Sequence, residues 1–203
     1  MPEFYSGNHY LTQSQMETNA RYVFNYLLPR GWSINAIAGL LGNFQTESGI
    51  NPGIWQSLNE GNTSGGYGLV QWTPATKYLN WCSDNGLEPS HMDSALSRIE
   101  YELANGIQYA KTSAYPITFE QFKVSHESPY YLGQAFMKNY ERPKNQSTTK
   151  RGAQALVWYN FLTGLSWSDS GSSGSGTGTG VGTKPKKRKS MSLLLLSIAT
   201  KKR

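Results

Sequence analysis

Cysteine is almost missing from this chain: Cys82 is the only one in 203 residues. That excludes an intramolecular disulfide and any zinc site built on cysteine, and it fits assembly in a reducing compartment. Long apolar runs are missing as well. No stretch approaches the roughly 18 apolar residues that span a bilayer, so no transmembrane segment is expected. The opening, Met1-Pro2-Glu3-Phe4-Tyr5-Ser6-Gly7, has neither a basic start nor an apolar run, so no secretory signal is read there. Histidine is sparse: His9, His91 and His126 are scattered without a His-x-His pair or an Asp at ligand spacing. No metal ligand set follows from them, and no cofactor is expected.

Acid is absent from the last 20 residues, where Lys184, Lys186, Lys187, Arg188, Lys189, Lys201, Lys202 and Arg203 place eight positive charges. The whole chain is +6, but residues 1–183 hold 11 basic and 13 acidic side chains and are nearly neutral. A body of that balance does not attract polyanions, so no specific nucleic-acid partner is expected of it. Between body and tail, residues 171–183 are Gly, Ser or Thr at 12 of 13 positions. That is linker composition, with a span on the order of 20 Å. The chain therefore divides into a globular body over 1–164, a linker over 165–183 and a basic, partly apolar tail over 184–203. In the tail, Leu193 to Leu196 with Ile198 form a short plug suited to docking into a protein partner, while its charges suit anionic polymers.

The body reads mainly as helices. Met16, Ala20, Val23, Phe24, Leu27 and Leu28 line one face of a helix that stops at Pro29-Arg30-Gly31. Thr12 with Gln15, or Ser14 with Glu17, supplies its capping box. A second helix starts at Ser33, carries Ile37, Leu40, Leu41 and Phe44, and ends at Gly49. Gly39 and Gly42 inside it cost about 1 kcal/mol each relative to Ala, which calls for a closely packed neighbour as compensation. Glu60-Gly61-Asn62 and Ser64-Gly65-Gly66 are turn signals between Ile54–Leu58 and Tyr67–Trp72, so a small β-hairpin is predicted there. Helical signals return at Asp93, at Thr118 with Gln121, at Ser128-Pro129 through Tyr140, and from Ala155 to Gly164. The fold class is α+β, mainly α.

Glu47 sits at the end of the second helix, just before the break. The helix C-terminus and burial among Phe44, Ile50 and Leu69 would both disfavour an ionised carboxylate, the condition a general acid requires. Strand alternation over 66–72 would set Tyr67 and Gln71 on one face as a ring and an amide for holding a sugar, with Val70 and Trp72 on the other. Trp55, Trp72, Tyr78 and Trp81 flank that region and offer flat faces to sugar rings. Glu60, in the turn 13 residues beyond Glu47, is a candidate second carboxylate or a solvated turn residue. Glu141 reads as an internal partner of Arg142 or as a helix cap.

Glu47-Ser48-Gly49 followed by Gly68-Leu69-Val70-Gln71 resembles the lysozyme-like superfamily of goose-type lysozymes and lytic transglycosylases. A longer run adds Asn19-Ala20, Gly42-Asn43, Asn51-Pro52-Gly53, Glu60-Gly61-Asn62-Thr63-Ser64, Trp72-Thr73-Pro74-Ala75 and Tyr140-Glu141-Arg142-Pro143. It resembles the N-terminal lysozyme domain of tail-knob peptidoglycan hydrolases of short-tailed phages that infect Gram-positive bacteria, over about residues 8–164. The resemblance implies a lysozyme-like fold, peptidoglycan glycan strands as substrate, Glu47 as catalytic acid, Tyr140 within a motif of the site, and a place in the distal tail of the virion, where the wall is opened as infection begins. It also implies a tail-knob or tail-tube partner, for which the C-terminal tail is the candidate. Larger members carry a zinc metallopeptidase domain after a Gly-rich linker; here the linker leads to the basic tail, so peptide crosslinks are not an expected target. Lytic transglycosylation, action as an endolysin at lysis, and a non-catalytic wall-binding component of the tail tip are the competing readings.

Overall fold

Helix α2 (Ile34–Ser48) is the axis of the structure, and every residue from Ala36 to Phe44 along it is buried. A helix apolar all round belongs in the middle of a core rather than on its surface. The structure is a computed structural model that describes residues 3–143 and 148–164; the linker and the basic tail lie outside the described residues. Around α2 stand α1 (Gln13–Leu27), α3 (Thr76–Asp84), α4 (Met92–Ala104), α5 (Phe119–Val124), α6 (Pro129–Phe136) and α7 (Thr148–Thr163). Helices α6 and α7 make the most extensive contacts with α2 and with each other. Among the described residues no helix is long and apolar enough to cross a membrane.

Capping chemistry fixes most of these elements. Thr12 and Gln15 form the capping box of α1, with Gln15 N–H on Thr12 Oγ1 at 3.4 Å and Thr12 N–H on Gln15 Oε1 at 2.9 Å. Thr118 and Gln121 do the same for α5. Ser33 caps α2 by accepting from Ala36 N–H at 3.0 Å, and Ser128 caps α6 ahead of Pro129. At the other end of α2, Gly49 takes the left-handed conformation (φ 64°) and Ile50 N–H reaches back to Phe44 C=O at 3.1 Å, closing the helix one residue after Ser48. For α4 the cap is His91, whose Nδ1 accepts from Asp93 N–H at 3.3 Å. Asp93 lies inside the first turn instead of preceding it.

Two elements depart from the sequence reading. The predicted β-hairpin is not formed. Trp55 pairs with Tyr67 and Tyr67 pairs with Trp72 as isolated bridges, so one residue faces a neighbour on each side and no ladder extends from it. Positive φ at Ser57, Leu58 and Gly61 breaks the first arm, while Gly68 (φ 76°) and Gln71 (φ 50°) fold 67–72 into a tight turn. Alternation of side chains therefore fails there. In addition, the helical run expected to continue through Tyr140 widens after α6 into a π-turn over Met137–Glu141, with Arg142 N–H on Met137 C=O at 2.8 Å and Arg142 left-handed at φ 49°. Buried Asn139 pins this turn: its Oδ1 accepts from Thr112 N–H and its Nδ2 donates to Tyr115 C=O at 2.9 Å.

The N-terminal residues form an arm laid over the end of α2. Asn19 bonds both backbone groups of Tyr5, and Asn51 Nδ2 donates to Gly7 C=O and His9 C=O at 2.8 and 2.7 Å.

The glycines of α2 carry the close packing expected of them. A Cβ on Gly39 would lie 3.0 Å from Leu132 Cβ on α6, and one on Gly42 would lie 2.5 Å from Arg151 C=O and 2.8 Å from Ala155 N on α7. Neither of the last two atoms can yield without moving a helix. Gly42→Ala should therefore destabilise the protein by about 1–3 kcal/mol through overpacking, in spite of the helix propensity it gains, about 1 kcal/mol. The urea midpoint should fall; an equal or higher midpoint would contradict the close approach.

Candidate functional site

A cleft of about 450 Å³ opens where the C-terminal turn of α2 meets the 54–57 segment, the 67–72 turn and the π-turn after α6. Glu47 lies on its wall together with Gln71, Trp72, Tyr140 and Glu141, and Trp55, Tyr10, Lys77 and Gln108 complete much of the rest. The turn carrying Gln71 is held to the end of α2 by Ser48, whose hydroxyl donates to Leu69 C=O at 3.0 Å and accepts from Asn51 N–H at 3.3 Å.

Glu47 is not alone. Its carboxylate is paired with Arg151 of α7, which also donates from Nη1 to Asn43 Oδ1 at 2.9 Å. Asn43 in turn donates to Gly39 C=O and Gly133 C=O, both at 2.9 Å, so its amide oxygen is oriented toward the guanidinium. The Arg151 side chain is only 7% exposed and that of Glu47 20%, so the pair is largely withdrawn from water with the Glu47 end facing the cleft.

Beside it stands Glu141, placed on the cleft wall by the π-turn. Its Oε1 is buried and has no hydrogen-bond partner among the described residues. Burial, reinforced by the like charge of Glu47, pushes its carboxyl well above the usual range, and Arg151 only partly offsets this. Glu141 does not form the internal pair with Arg142 read from the sequence: Arg142 Nη2 donates instead to Gln108 C=O at 2.7 Å.

A third carboxyl organises the aromatic walls from behind. Glu102 of α4 is almost fully buried and accepts from Arg98 Nε at 2.9 Å, from Trp72 Nε1 at 3.0 Å and from the Tyr140 hydroxyl. Burial raises its pKa, and these three donors work against that rise. Burial also holds the Tyr140 hydroxyl well above its usual range, with the Glu102 charge adding to it, so Tyr140 remains the donor. Trp72 is fixed on its other side by Tyr78, stacked with ring centroids 4.3 Å apart.

The sequence candidates thus separate. Glu47, Gln71, Trp72 and Tyr140 meet in one cleft. Gln71 Nε2 is spent on backbone carbonyls, donating to Gly68 C=O at 3.0 Å and Ile54 C=O at 3.3 Å. Tyr67 is buried between Trp55 and Tyr78 and is not among the cleft-lining residues, because the tight turn points it inward. Glu60 is exposed in its turn and does not line the cleft either. Trp81 packs against Tyr101 and Arg98 away from the site. Arg151, Glu102 and the roles of Asn43 and Glu141 escaped the sequence reading. Asn43 and Glu141 were marked only as parts of the motifs Gly42-Asn43 and Tyr140-Glu141-Arg142-Pro143, and Arg151 and Glu102 carried no signal. Among the described residues no three His, Cys, Asp or Glu side chains are placed to hold a metal ion.

Glu102→Gln tests the hidden support. An amide cannot pair with Arg98 as a charge, and it must turn its NH2 toward one of the groups that now donate to it. An unpaired buried arginine costs about 3–5 kcal/mol, so the melting temperature should drop sharply. An unchanged melting temperature would show that the network contributes nothing.

The profile of the phage tail lysozyme family matches residues 18–162 of the chain. Morphogenesis protein 1 of Bacillus phage B103 is 56% identical over 161 residues, which make up 79% of this chain and 44% of that protein. The chain therefore spans less than half the length of this relative. The matched region contains α2 with Glu47, the Gly68-Leu69-Val70-Gln71 turn, the π-turn with Glu141, and Arg151, and on these grounds the chain belongs to the phage tail lysozyme family.

Proposed function

We propose that this chain is a virion-borne peptidoglycan hydrolase of the lysozyme type, which cuts β-1,4 glycan strands with Glu47 as general acid and locally opens the wall as infection begins. The observation that carries this reading is the pair of carboxyls, Glu47 and Glu141, on the wall of one cleft that is also lined by aromatic side chains. A cleft suits a chain substrate. The indole of Trp55 and the ring of Tyr10 give it flat apolar surface for sugar rings, and Gln56, Gln108 and Lys77 give it polar groups for hydroxyls and acetamido groups. Protonation of the glycosidic oxygen by Glu47 would let the bond break with its electron pair going to the leaving sugar.

The folded body would act alone on glycan, with residues 165–183 as a tether and residues 184–203 docking to a tail protein. Family membership supports the glycan substrate and the tail location; it leaves open whether water or the sugar's own hydroxyl closes the reaction.

Glu47→Gln keeps the shape and still accepts from Arg151 but carries no transferable proton. Release of muropeptides from purified sacculi should fall by on the order of 100- to 10,000-fold while circular dichroism stays that of the native protein. Mass spectrometry of the wild-type digest should show reducing ends; anhydro ends would assign lytic transglycosylation. A folded Glu47→Gln protein that clears sacculi at the wild-type rate would remove Glu47 from the chemistry.

A further inference from the structure

An acid whose carboxylate is clamped by a buried arginine poses a problem for proton donation. Arg151 supplies one positive charge to a site that holds two carboxyls, Glu47 from α2 and Glu141 from the π-turn. With both ionised, the partly desolvated cluster would carry a net negative charge. One proton makes it neutral. Desolvated like charges that share a site are expected to retain such a proton jointly, and the retained proton belongs to the pair.

The two carboxyls are not equivalent in this arrangement. Glu47 has its cation; Glu141 has a buried Oε1 with no hydrogen-bond partner among the described residues. An orphaned carboxyl oxygen is costly as a carboxylate and far less so as a neutral acid. The other charged groups around Glu141 do not alter this. Glu102 on α4 is a further acid, already engaged by Arg98, Trp72 and Tyr140. Tyr140 on the same turn gives its hydroxyl to Glu102. Arg142 is turned to the Gln108 carbonyl, and Lys77 stands on the α3 part of the cleft wall.

We propose that Glu47 and Glu141 form a carboxyl pair that keeps one proton between them against Arg151, with Glu141 the member that retains it in the resting protein and thereby enables Glu47 to act as acid. This rests on the glycan-cleaving reading of the site. In a turnover the retained proton passes from Glu141 to Glu47 and from Glu47 to the glycosidic oxygen, and the carbon–oxygen bond breaks toward that oxygen. The pair then recovers one proton from the attacking water, whose hydroxyl goes to the anomeric carbon. If the sugar's own hydroxyl attacks instead, it returns the proton, and the pair is restored in the same way. Glu141 acts through Glu47 and is a positioning residue.

Two measurements test this. The first is the pH profile of kcat/KM on purified sacculi for the wild type and for Glu141→Gln, an uncharged residue of the same shape. Because the active form is the protonated one, activity is lost as pH rises. Without Glu141 to retain the proton, that loss should move to lower pH by about one unit or more, leaving roughly a tenth of the wild-type rate at neutral pH. A high-pH limb that does not move overturns the proposal, since a merely structural Glu141 would lower the rate at every pH alike.

The second is the infrared carbonyl band of a protonated carboxyl in the full chain at pH 7, which needs no catalysis. It should be present in the wild type and lost in Glu141→Gln. Its absence from the wild type, or its persistence in that variant, overturns the proposal. Should Glu141→Gln not fold, Glu141→Ala, which leaves no carboxyl to satisfy, takes its place, and persistence of the band in that variant overturns the proposal. A wild-type protein that shows the band but releases no muropeptide would instead count against the glycan-cleaving reading and leave the carboxyl pair standing.

Discussion

The close approach of three helices at small residues is the constraint on which the site depends. Gly42 on α2 and Gly133 on α6 bring the backbones of α2, α6 and α7 together at distances that no Cβ would allow, and Gly39 leaves room for one only at a tight 3.0 Å from Leu132. Only at that spacing does Arg151 of α7 reach Asn43 and Glu47 on α2 with the two arms of its guanidinium. The same seam carries Thr46 Oγ1 to Gln154 Oε1 at 2.6 Å and Trp158 Nε1 to Gln45 Oε1 at 3.0 Å. Polar bonds thus follow wherever apolar packing has excluded water, and the Glu47 carboxyl at the end of the helix inherits a fixed position from them.

The molecule handles its two deeply placed acids in opposite ways. Glu102 is surrounded by three donors from three different parts of the chain and serves as a strut behind the aromatic wall. Glu141 is left with one oxygen unsatisfied and faces the cleft. Full satisfaction gives rigidity, whereas incomplete satisfaction leaves reactivity, and an isolated buried oxygen is tolerated where a substrate or a proton completes it.

Local chemistry made much of the architecture readable in advance. Thr12 with Gln15, Ser33, Gly49, Thr118 with Gln121, and Ser128 with Pro129 act within four residues of themselves, so the ends they set are visible in the string of letters. Glu47 was placed correctly at the end of α2 for the same reason. What escaped depends on distance along the chain or on backbone strain. Arg151 lies 104 residues beyond Glu47, and neither gives any sign of the other. Helix α3 went unread because it buries only Tyr78 and Cys82 in nine residues and has no side-chain cap. The hairpin reading trusted turn signals that were real, yet a left-handed Gln71 turned the strand they seemed to join into part of the turn itself. The π-turn needs one extra residue per turn, and its pin, Asn139, draws its partners from a loop about 25 to 30 residues earlier.

The N-terminal arm joins the wall around the cleft by a different kind of attachment from the helices. Side-chain amides of Asn19 and Asn51 hold it, Ser6 adds a bond to Ser90 C=O at 2.6 Å, and Asn8 touches the rim segment at Trp55 and Leu58. Tyr10 then follows, exposed and on the cleft wall. A strap held by a few polar bonds opens at lower free energy than a packed helix. The cleft therefore has two unlike sides: on one, the end of α2 is locked to α7 by close backbone packing and the Arg151 bridge, while on the other a short arm is held by side-chain amides and the packed ring of Phe4.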